Sequence, residues 1–496
     1  MASENHTPVA GTFPSRTPAR RRTVLKAAGL ATLAATAVGT AARSAHAMDD
    51  TDASRPPEPY DVIVVGAGFA GVAAARAVRA QGLRTLLLEA RDRIGGRTWT
   101  DTFAGERVEM GGAWVHPVHT RVWHEIQSHG ISFVADDTPP DQLILPSGNG
   151  YAPFSPTEAG TRLGELLTDF FAGSEAYFPR PHDPLHRIDL LAEPDRLTLR
   201  DRLDQLRLSP QDDAWLNGHT ATAGGTNTRG AYTALVRQLA LSGDLATYNG
   251  LNTYRPVTGM GGLITAMLAD QPVTVRLGAP VAAVTDTGTR VLVDTRAGQR
   301  YSASAVVVAV PANTWNTIAF RSGLPREFTA ASTAGIAVPH AKKIWMKVRG
   351  DVGRFIAQGA ETGAPLIGVV PHTTLADGSR LMIGFSVDPA LDHTSTAQVQ
   401  AALRRFVPQA VVEGIKSQDW GGDPYARGGW SFMRPLQLTR QLRTLQQPHG
   451  RLVFAGSDIA AGWSGFVEGA VESGEHAATL ALELATTTRS ASLVAG

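Results

Sequence analysis

The sequence predicts an α/β protein whose central sheet is mainly parallel, and three stretches of the chain carry this prediction. Residues 61–65 form a β-branched apolar run that meets a glycine turn, and a run of strong helix formers follows over residues 72–80. Residues 85–88 form a second apolar run, which is typical of a neighbouring buried strand. Residues 452–456 read as a third strand that enters a glycine turn. Strands of this kind next to helices indicate a sheet covered on both faces.

The glycine turn after the first strand reads GAGFAG, a GxGxxG pattern. Here Gly66 permits a tight turn, Gly68 lets backbone amides approach a pyrophosphate, and Gly71 allows helix and strand to pack closely. The phosphate charge would lie at the helix N-terminus, where unpaired amides and the helix dipole favour an anion. Glu89 ends the second strand and is placed to accept hydrogen bonds from ribose hydroxyls. The segment therefore predicts a Rossmann-like dinucleotide site, and an arginine at position 89 would have suggested NADP instead.

Three further motifs indicate which dinucleotide binds, FAD or NAD. Residues 89–97 read EARDRIGGR and residues 110–114 read MGGAW, and both resemble motifs of the flavin-containing amine oxidase family. Residues 463–474 read WSGFVEGAVESG, which resembles the C-terminal signature of its monoamine oxidase-like members. NAD dehydrogenases lack the continuations at 89–97 and 110–114, so the resemblance implies FAD. The chain has no cysteine, so a thioether link to the flavin is excluded and FAD is expected to bind non-covalently.

The resemblance also implies which residues contact FAD. Val281 is expected to contact adenine through its backbone, and the amide of Val467, at a helix N-terminus, to stabilise negative charge on the reduced ring. Asp458 stands where the family usually has glutamate, so its reach towards the ribityl or phosphate groups is shorter. The expected cofactor-binding residues are Gly66, Ala67, Gly68, Gly71, Glu89, Ala90, Arg91, Gly96, Arg97, Gly112, Ala113, Trp114, Val281, Asp458 and Val467.

The family builds its Rossmann-like FAD-binding domain from separated segments and adds an α+β substrate-binding domain with a mixed sheet and helices. By this resemblance the FAD-binding domain comprises residues 60–130, 250–325 and 445–488, and the substrate-binding domain comprises 131–249 and 326–444. Residues 489–496 are expected to form a tail. Periodicity predicts a strand meander at 280–284, 290–295 and 301–310, strands at 343–348 and 381–386, and helices at 163–171, 197–208, 232–241 and 396–406.

The N-terminus carries a targeting signal. Residues 21–26 read RRTVLK, a weakly apolar stretch follows over 27–42, and Ala47 ends an A-x-A cleavage pattern. Residues 1–47 thus resemble a twin-arginine signal peptide, and the proline-rich residues 48–59 read as a linker. We therefore expect recognition by the twin-arginine export machinery and a periplasmic or secreted product.

Charge and composition exclude several classes of partner. Of 46 basic and 45 acidic residues, six and one lie in residues 1–47, which leaves 40 and 44 and a net charge of −4. This balance gives no reason to expect binding to nucleic acid or to an anionic membrane. His116, His119 and His124 lie close together in sequence without a set of partner ligands, so no metal site is predicted.

The resemblance finally implies the chemistry and the residues that support it. Lys343 matches the family lysine that holds a water near flavin N5; strand alternation alone leaves Lys342 and Lys343 open, and the family pattern K-[IV]-[FW] favours Lys343. A cation there should favour reduced, anionic flavin and discourage a protonated substrate. Trp430 and Phe466 fall where the family places two facing aromatic rings around the amine.

The expected reaction passes a hydride from the α-carbon of a neutral amine to flavin N5, and the resulting imine hydrolyses to an aldehyde or ketone. Oxygen, which yields hydrogen peroxide, or a periplasmic electron carrier would reoxidise the flavin. The alternatives are a polyamine oxidase or L-amino-acid oxidase on the same scaffold and a non-catalytic flavin-binding protein. A homodimer is left open.

Overall fold

The structure is a computed structural model that describes residues 60–136, 138–360 and 364–494. The predicted export signal over residues 1–47 and the predicted linker over 48–59 lie outside the described residues. All of the described residues belong to one compact unit. Within these ranges, none of the helices combines the length and hydrophobicity that a membrane span requires.

Strands and helices alternate along much of the described chain. The strands are β1 (Tyr60–Val65), β2 (Thr85–Leu88), β3 (Thr100–Phe103), β4 (Glu106–Glu109), β5 (Phe133–Ala135), β6 (Gln142–Ser147), β7 (Gly150–Phe154), β8 (Tyr254–Pro256), β9 (Thr274–Arg276), β10 (Val281–Asp286), β11 (Val291–Thr295), β12 (Arg300–Val308), β13 (Ala319–Phe320), β14 (Lys342–Arg349), β15 (Phe355–Gln358), β16 (Gly368–Thr374), β17 (Arg380–Ser386), β18 (Val411–Asp419) and β19 (Leu452–Phe454). The helices are α1 (Phe69–Ala80), α2 (Thr120–Ser128), α3 (Pro156–Phe171), α4 (Leu199–Leu206), α5 (Pro210–Gly224), α6 (Tyr232–Ser242), α7 (Leu245–Asn249), α8 (Gly259–Ala269), α9 (Arg326–Ala334), α10 (Thr396–Arg404), α11 (Gln437–Arg440), α12 (Leu442–Leu445) and α13 (Val467–Val494).

The first sheet has eight strands in the order β13-β10-β11-β12-β1-β2-β9, and β19 pairs with β12 beside this path. β9, β2, β1, β12 and β19 pair in parallel, while β10, β11 and β12 form the predicted antiparallel meander. Alternate residues of β1 belong to different cores: Ile63 and Val65 pack in one, Val62 and Val64 in the other. Since both faces are buried, β1 reads as a continuous apolar run.

Helices α1 and α13 pack against each other in the core that contains Val62 and Val64. Small residues allow this close approach. A Cβ at Gly474 of α13 would lie 2.2 Å from the carbonyl oxygen of Ala70 in α1, so a larger residue at 474 would force the helices apart. This packing fixes the position of helix α1, whose N-terminus lies at the glycine turn.

The second sheet has seven strands in the order β18-β14-β17-β16-β15-β6-β7. Its pairs are antiparallel except for the parallel pair of β15 and β6. Ile344 and Met346 of β14 pack in one core with Val399 and Leu403 of α10. Because side chains alternate along a strand, Lys343 and Trp345 lie on the opposite face. That face of the sheet is the one that matters for the functional site.

The α/β fold and its assembly from separated segments agree with the sequence prediction. The first sheet takes its strands from residues 60–88, 274–320 and 452–454, and the second from 142–154, 342–386 and 411–419. The domain boundaries themselves stay predictions. Helix α13 continues to Val494, into the residues predicted as a tail at 489–496. No glycine or proline interrupts the chain between the end of the predicted domain and Gly496, so nothing stops the helix earlier.

Candidate functional site

A cavity of about 840 Å³ is lined by residues from both sheets and from helices α1, α5 and α13. Most of the predicted site residues contribute to its wall: Gly66, Gly68, Glu89, Ala90, Arg91, Gly96, Arg97, Gly112, Trp114, Val281, Lys343, Trp430, Phe466 and Val467. Four predicted residues are buried outside the lining: Ala67, Gly71, Ala113 and Asp458. The cavity thus brings together residues that are hundreds of positions apart in sequence.

The glycine turn forms one end of the cavity. Gly66 has a φ of 103°, and a Cβ there would lie 2.7 Å from the Ala309 carbonyl oxygen. A Cβ at Gly71 would lie 1.8 Å from the Gly66 carbonyl oxygen, so α1 can begin here only on glycines. Gly68, by contrast, lines the cavity, and the nearest protein atom to a Cβ there, Gly96 Cα, is 3.8 Å away. The turn therefore leaves an open cradle in front of the α1 N-terminus, which fits a pyrophosphate.

Glu89 and Arg91 border this cradle. The Glu89 carboxylate accepts hydrogen bonds from the amides of Ala67, at 2.8 Å, and Arg91, at 2.9 Å. Each carboxylate oxygen keeps a further lone pair, so the predicted contact with ribose hydroxyls stays compatible with these bonds. The Arg91 guanidinium donates to Asp423 at 2.6 Å and lies 5.3 Å from the centroid of the Tyr425 ring. These contacts hold the adenosine side of the predicted site in a fixed shape.

Asp458 is buried beside the cavity wall, and its predicted contact with the cofactor stays a prediction. Its carboxylate is 2% exposed and accepts hydrogen bonds from Arg97, at 2.6 Å, from the Ala312 amide, at 2.8 Å, and from the Ser431 hydroxyl. Burial alone would raise the pKa of this carboxyl, but Arg97 and the two other donors outweigh it and hold the pKa below its ordinary value. Asp458 therefore acts on the cavity through Arg97, whose guanidinium it orients.

Lys343 lies at the other end of the cavity, 4% exposed. Its Nζ donates to the Gly111 carbonyl at 2.8 Å and lies 4.9 Å from the Trp114 ring and 5.8 Å from the Phe385 ring. Burial lowers the pKa of Lys343 to about 7, although the carboxylate of Glu109 opposes the shift. Lys342 has a different hydrogen-bond partner, since its Nζ donates to the Asp388 carbonyl at 2.7 Å. Both lysines reach the cavity wall, but only Lys343 sits among aromatic rings.

Glu109, which the sequence analysis did not single out, is the charged partner of Lys343. One of its carboxylate oxygens accepts from Thr100 Oγ1 at 2.7 Å and from the Met260 amide at 2.9 Å. The other oxygen is buried and has no hydrogen-bond partner in the described chain. Burial raises the pKa of Glu109. An acid directly before MGGAW, at the buried end of the otherwise exposed strand β4, is the signal that could have identified it.

Trp430 and Phe466, the predicted aromatic pair, both line the cavity. Trp430 Nε1 donates to the Ala223 carbonyl of α5 at 2.5 Å, which fixes the indole. The Phe466 ring contacts His119 and Trp463, with centroids 5.2 Å away in both cases. Within the described residues the two predicted rings do not stack on each other, and both border the same cavity. Their predicted role in holding the amine stays a prediction.

A network at the cavity wall was also not predicted. Trp114 Nε1 donates to Asp136 at 3.1 Å, and Arg255 donates to both oxygens of the same carboxylate at 2.5 and 2.7 Å. The three residues come from distant parts of the sequence, and β5 and β8 bring Asp136 and Arg255 together. No local pattern marks such a contact.

The sequence predicts no metal site at the three neighbouring histidines His116, His119 and His124. In the described ranges the three residues grouped closely enough for a metal are others, Glu125, His129 and Asp270, and Arg76 already pairs with two of them.

Comparisons with known proteins agree with this geometry. The model of the family described as flavin containing amine oxidoreductase matches residues 69–482. The chain is 35% identical over 432 residues to a pseudooxynicotine dehydrogenase of Pseudomonas sp, which covers 84% of this chain and 85% of the relative. It is also 35% identical over 424 residues to the nicotine dehydrogenase of Pseudomonas putida, covering 84% of this chain and 87% of the relative.

A solved structure shares the fold. Cyclohexylamine oxidase from Brevibacterium oxydans superposes with a TM-score of 0.70 at 22% sequence identity, over 86% of this chain and 99% of the other. At this level of identity the likeness concerns the fold alone. The same arrangement of two sheets therefore occurs in a protein named for oxidising an amine.

Proposed function

This chain belongs to the flavin-containing amine oxidoreductase family, and from that premise we propose that it oxidises a neutral amine held between Trp430 and Phe466. It is an FAD-dependent amine oxidase. When bound, FAD accepts a hydride from the α-carbon of the amine, and water hydrolyses the imine to an aldehyde or ketone. The single observation that supports the assignment of the site is the cavity that joins the glycine turn at Gly66 to the buried ammonium of Lys343.

Different parts of the cavity wall have different proposed roles. The glycine turn and the N-terminus of α1 hold the pyrophosphate, and Glu89 holds the ribose. Arg97, which Asp458 orients, offers its remaining donor capacity to the cofactor. Lys343 holds a proton or a water at Nζ beside the Gly111 carbonyl, and Trp114 and Phe385 keep bulk water away from it. Trp430 and Phe466 orient the amine.

Anaerobic titration with amines tests this proposal. Purified holoenzyme is mixed with monoamines, diamines, polyamines and amino acids in turn, and the visible absorbance of the flavin is followed. We expect at least one amine to bleach the flavin without oxygen, because hydride transfer needs no second substrate. A protein that stays yellow with every amine would be a flavin-binding protein without turnover, which contradicts the proposal.

The electron acceptor is a second, finer proposal, in which oxygen or a periplasmic electron carrier reoxidises the enzyme. The names of the relatives support both, since two are called dehydrogenases and others are called oxidases. Mixing the reduced enzyme with air-saturated buffer separates the two. Reoxidation faster than turnover supports oxygen as the acceptor, and reoxidation much slower than turnover with an added carrier supports the carrier.

FAD is expected to leave the protein completely on acid precipitation. The chain has no cysteine to form a thioether with the flavin. Among the described residues of the cavity wall, His219 of α5 is the histidine that a covalent link could use. The measurement is the flavin absorbance of supernatant and pellet. Flavin that stays on the pellet, in wild type but not in a His219→Phe variant, would contradict non-covalent binding.

Binding of an amine is expected to strengthen as pH rises through about 7. Burial lowers the pKa of Lys343 to about 7, so its ammonium is present below that pH and is mostly neutral above it. The neutral fraction of the amine rises with pH in any case, and below about pH 7 the cation additionally repels the protonated amine, so Kd calculated for total amine should fall with pH and change slope near pH 7. Kd comes from the concentration dependence of anaerobic flavin reduction. The inflection near pH 7 should be absent in Lys343→Met; if it persists there, another group is responsible.

We further propose that residues 1–47 direct export by the twin-arginine route, which supports a periplasmic or secreted location. Changing Arg21 and Arg22 together to lysine should leave the protein in the cytoplasm, because the twin-arginine machinery reads this pair. Cell fractionation measures the location, and Arg16→Lys is the matched control. The exported wild type should begin at Met48. Normal export of the double variant would contradict the proposal.

A further inference from the structure

A row of residues crosses the second sheet on the face that lines the cavity. Gln358 of β15 lies opposite Gly368 of β16, Gly368 opposite Phe385 of β17, and Phe385 opposite Lys343 of β14. Side chains of directly opposite residues point to the same face of a sheet. All four residues line the cavity. With strands about 4.8 Å apart, Gln358 lies roughly 14 Å from Lys343 along this face.

The far end of the row carries a neutral polar pair. Gln358 Nε2 lies 3.1 Å from Nδ1 of His219, which belongs to α5. Gln358 Oε1 is buried and has no hydrogen-bond partner in the described chain. Burial lowers the pKa of His219 to about 4, so the imidazole is uncharged near neutral pH. When Nδ1 accepts from the amide, the imidazole proton is on Nε2, which remains able to donate.

Helix α5 connects this pair to the aromatic site. Trp430 donates to the carbonyl of Ala223, which is four residues after His219 and thus about 6 Å further along the helix. Between the pair and the ring of Phe385, Gly368 has no side chain to fill the face. A Cβ at Gly368 would lie 3.8 Å from Thr222 Cγ2 of α5, in ordinary van der Waals contact, so the glycine leaves room for about one carbon atom on this part of the cavity wall.

The charges on the wall exclude a second cation on the substrate. Among the described residues that line the cavity, the acidic ones are Glu89 and Asp136. Glu89 accepts from two backbone amides near the glycine turn, and Asp136 is paired with Arg255 on both oxygens. Neither carboxylate is free to hold an ammonium at the far end. A diamine or polyamine would therefore bury its second charge there without a counter-charge, with the neutral Gln358 Oε1 as an acceptor.

We propose that His219 and Gln358 form a subsite for a neutral hydrogen-bond acceptor at the end of the substrate remote from its amine. The acceptor is a carbonyl oxygen or an aromatic ring nitrogen, and an apolar spacer shorter than the roughly 14 Å between Lys343 and Gln358 joins it to the amine. His219 Nε2 donates the hydrogen bond, and Gln358 fixes the imidazole. This inference rests on the proposed oxidation of an amine between Trp430 and Phe466.

The test compares two amines of the same shape, 4-(pyridin-4-yl)butan-1-amine and 4-phenylbutan-1-amine. Their Kd values come from anaerobic flavin reduction of the holoenzyme. Wild type should bind the pyridyl amine roughly tenfold more tightly, as expected for one neutral hydrogen bond in a buried site. 1,6-Diaminohexane should bind more weakly than either. The result is the ratio of the Kd values of two amines for the same enzyme, so a general loss of activity in a variant does not change it.

Variants of the pair identify the groups responsible. In His219→Phe and in Gln358→Leu the preference for the pyridyl amine should fall to within about twofold, and His219→Gln, which keeps a donor, should restore part of it. Gln127→Leu, on the exposed side of α2, is the matched control and should keep the full preference. If the variants weaken both amines equally, the pair is merely structural and the proposal is wrong.

The experiment distinguishes a failure of the subsite proposal from a failure of the proposed amine oxidation. If wild type reduces its flavin with both arylalkyl amines but binds them equally well, amine oxidation stands and the subsite proposal is overturned. If no amine reduces the flavin, the proposed function fails first. Tighter binding of 1,6-diaminohexane than of the pyridyl amine would also overturn the proposal, because it would show that the far end prefers a hydrogen-bond donor to an acceptor.

Discussion

Lys343→Met is expected to slow flavin reduction or reoxidation by about 100-fold, the range that removal of a positioned proton-handling group usually produces. The ammonium of Lys343 is bonded to the Gly111 carbonyl and surrounded by the rings of Trp114 and Phe385. Methionine has a similar length but neither charge nor donor, so the cavity keeps its shape and loses the polar group. Stopped-flow spectroscopy separates the two half-reactions.

Lys342→Met is the matched control, since it removes the same group from the next position of the same strand. Lys342 Nζ is committed to the Asp388 carbonyl, away from the aromatic rings. We expect less than about a threefold change in either half-reaction, together with unchanged FAD content. If Lys342→Met were the slower enzyme, the family pattern would have assigned the wrong lysine.

The sequence predicts those parts of the fold that rest on local pattern. β2 has the predicted bounds, and β14, β17 and α10 agree with their predicted ranges to within one or two residues at most ends. Helix α5 is not predicted, because its buried residues are spread around the helix rather than along one stripe. β6 and β7 are not predicted either, since prolines interrupt both apolar runs. Pro153 is tolerated because β7 is an edge strand, and Pro146 lies beyond the part of β6 that pairs with β15.

The site follows the same rule. Motifs mark the glycine turn and Lys343, because backbone conformation and strand register restrict which residues can stand there. Contacts between distant residues leave no such mark. The sequence names Arg97 and Asp458 separately, but only the fold places their side chains 2.6 Å apart as a hydrogen-bonded pair. Gln358 and His219 are likewise ordinary residues of a strand and a helix until the sheet and α5 meet.

Asp458→Ala is expected to lower the free energy of unfolding by about 3–5 kcal/mol, as loss of one partner of a buried ion pair does. The carboxylate is 2% exposed and is the partner of Arg97. Without it, a guanidinium stays in the cavity wall with no counter-charge, and the Ala312 amide loses its acceptor. Bound FAD should decrease too, because Arg97 is no longer oriented. Denaturant titration and the ratio of flavin to protein absorbance measure the two effects.

Glu165→Ala provides the control, because Glu165 pairs with Arg162 at the surface, where both side chains are about half exposed. Water and salt screen such a pair, so its loss should change stability by less than about 1 kcal/mol and leave FAD content unchanged. Equal effects of Asp458→Ala and Glu165→Ala would mean that Arg97 finds another partner and that Asp458 does not orient it.

The pH dependence of Asp458→Asn separates charge from packing. The folded-state pKa of Asp458 lies below its ordinary value of 3.8. Its ionised form therefore contributes stability that is fully present above that value and is lost as pH falls towards the folded pKa. Asparagine keeps the shape of the side chain without the charge. The stability advantage of wild type over Asp458→Asn should thus be constant near neutral pH and shrink below about pH 4. An advantage that does not change with acid would assign the effect to packing rather than to the ion pair with Arg97.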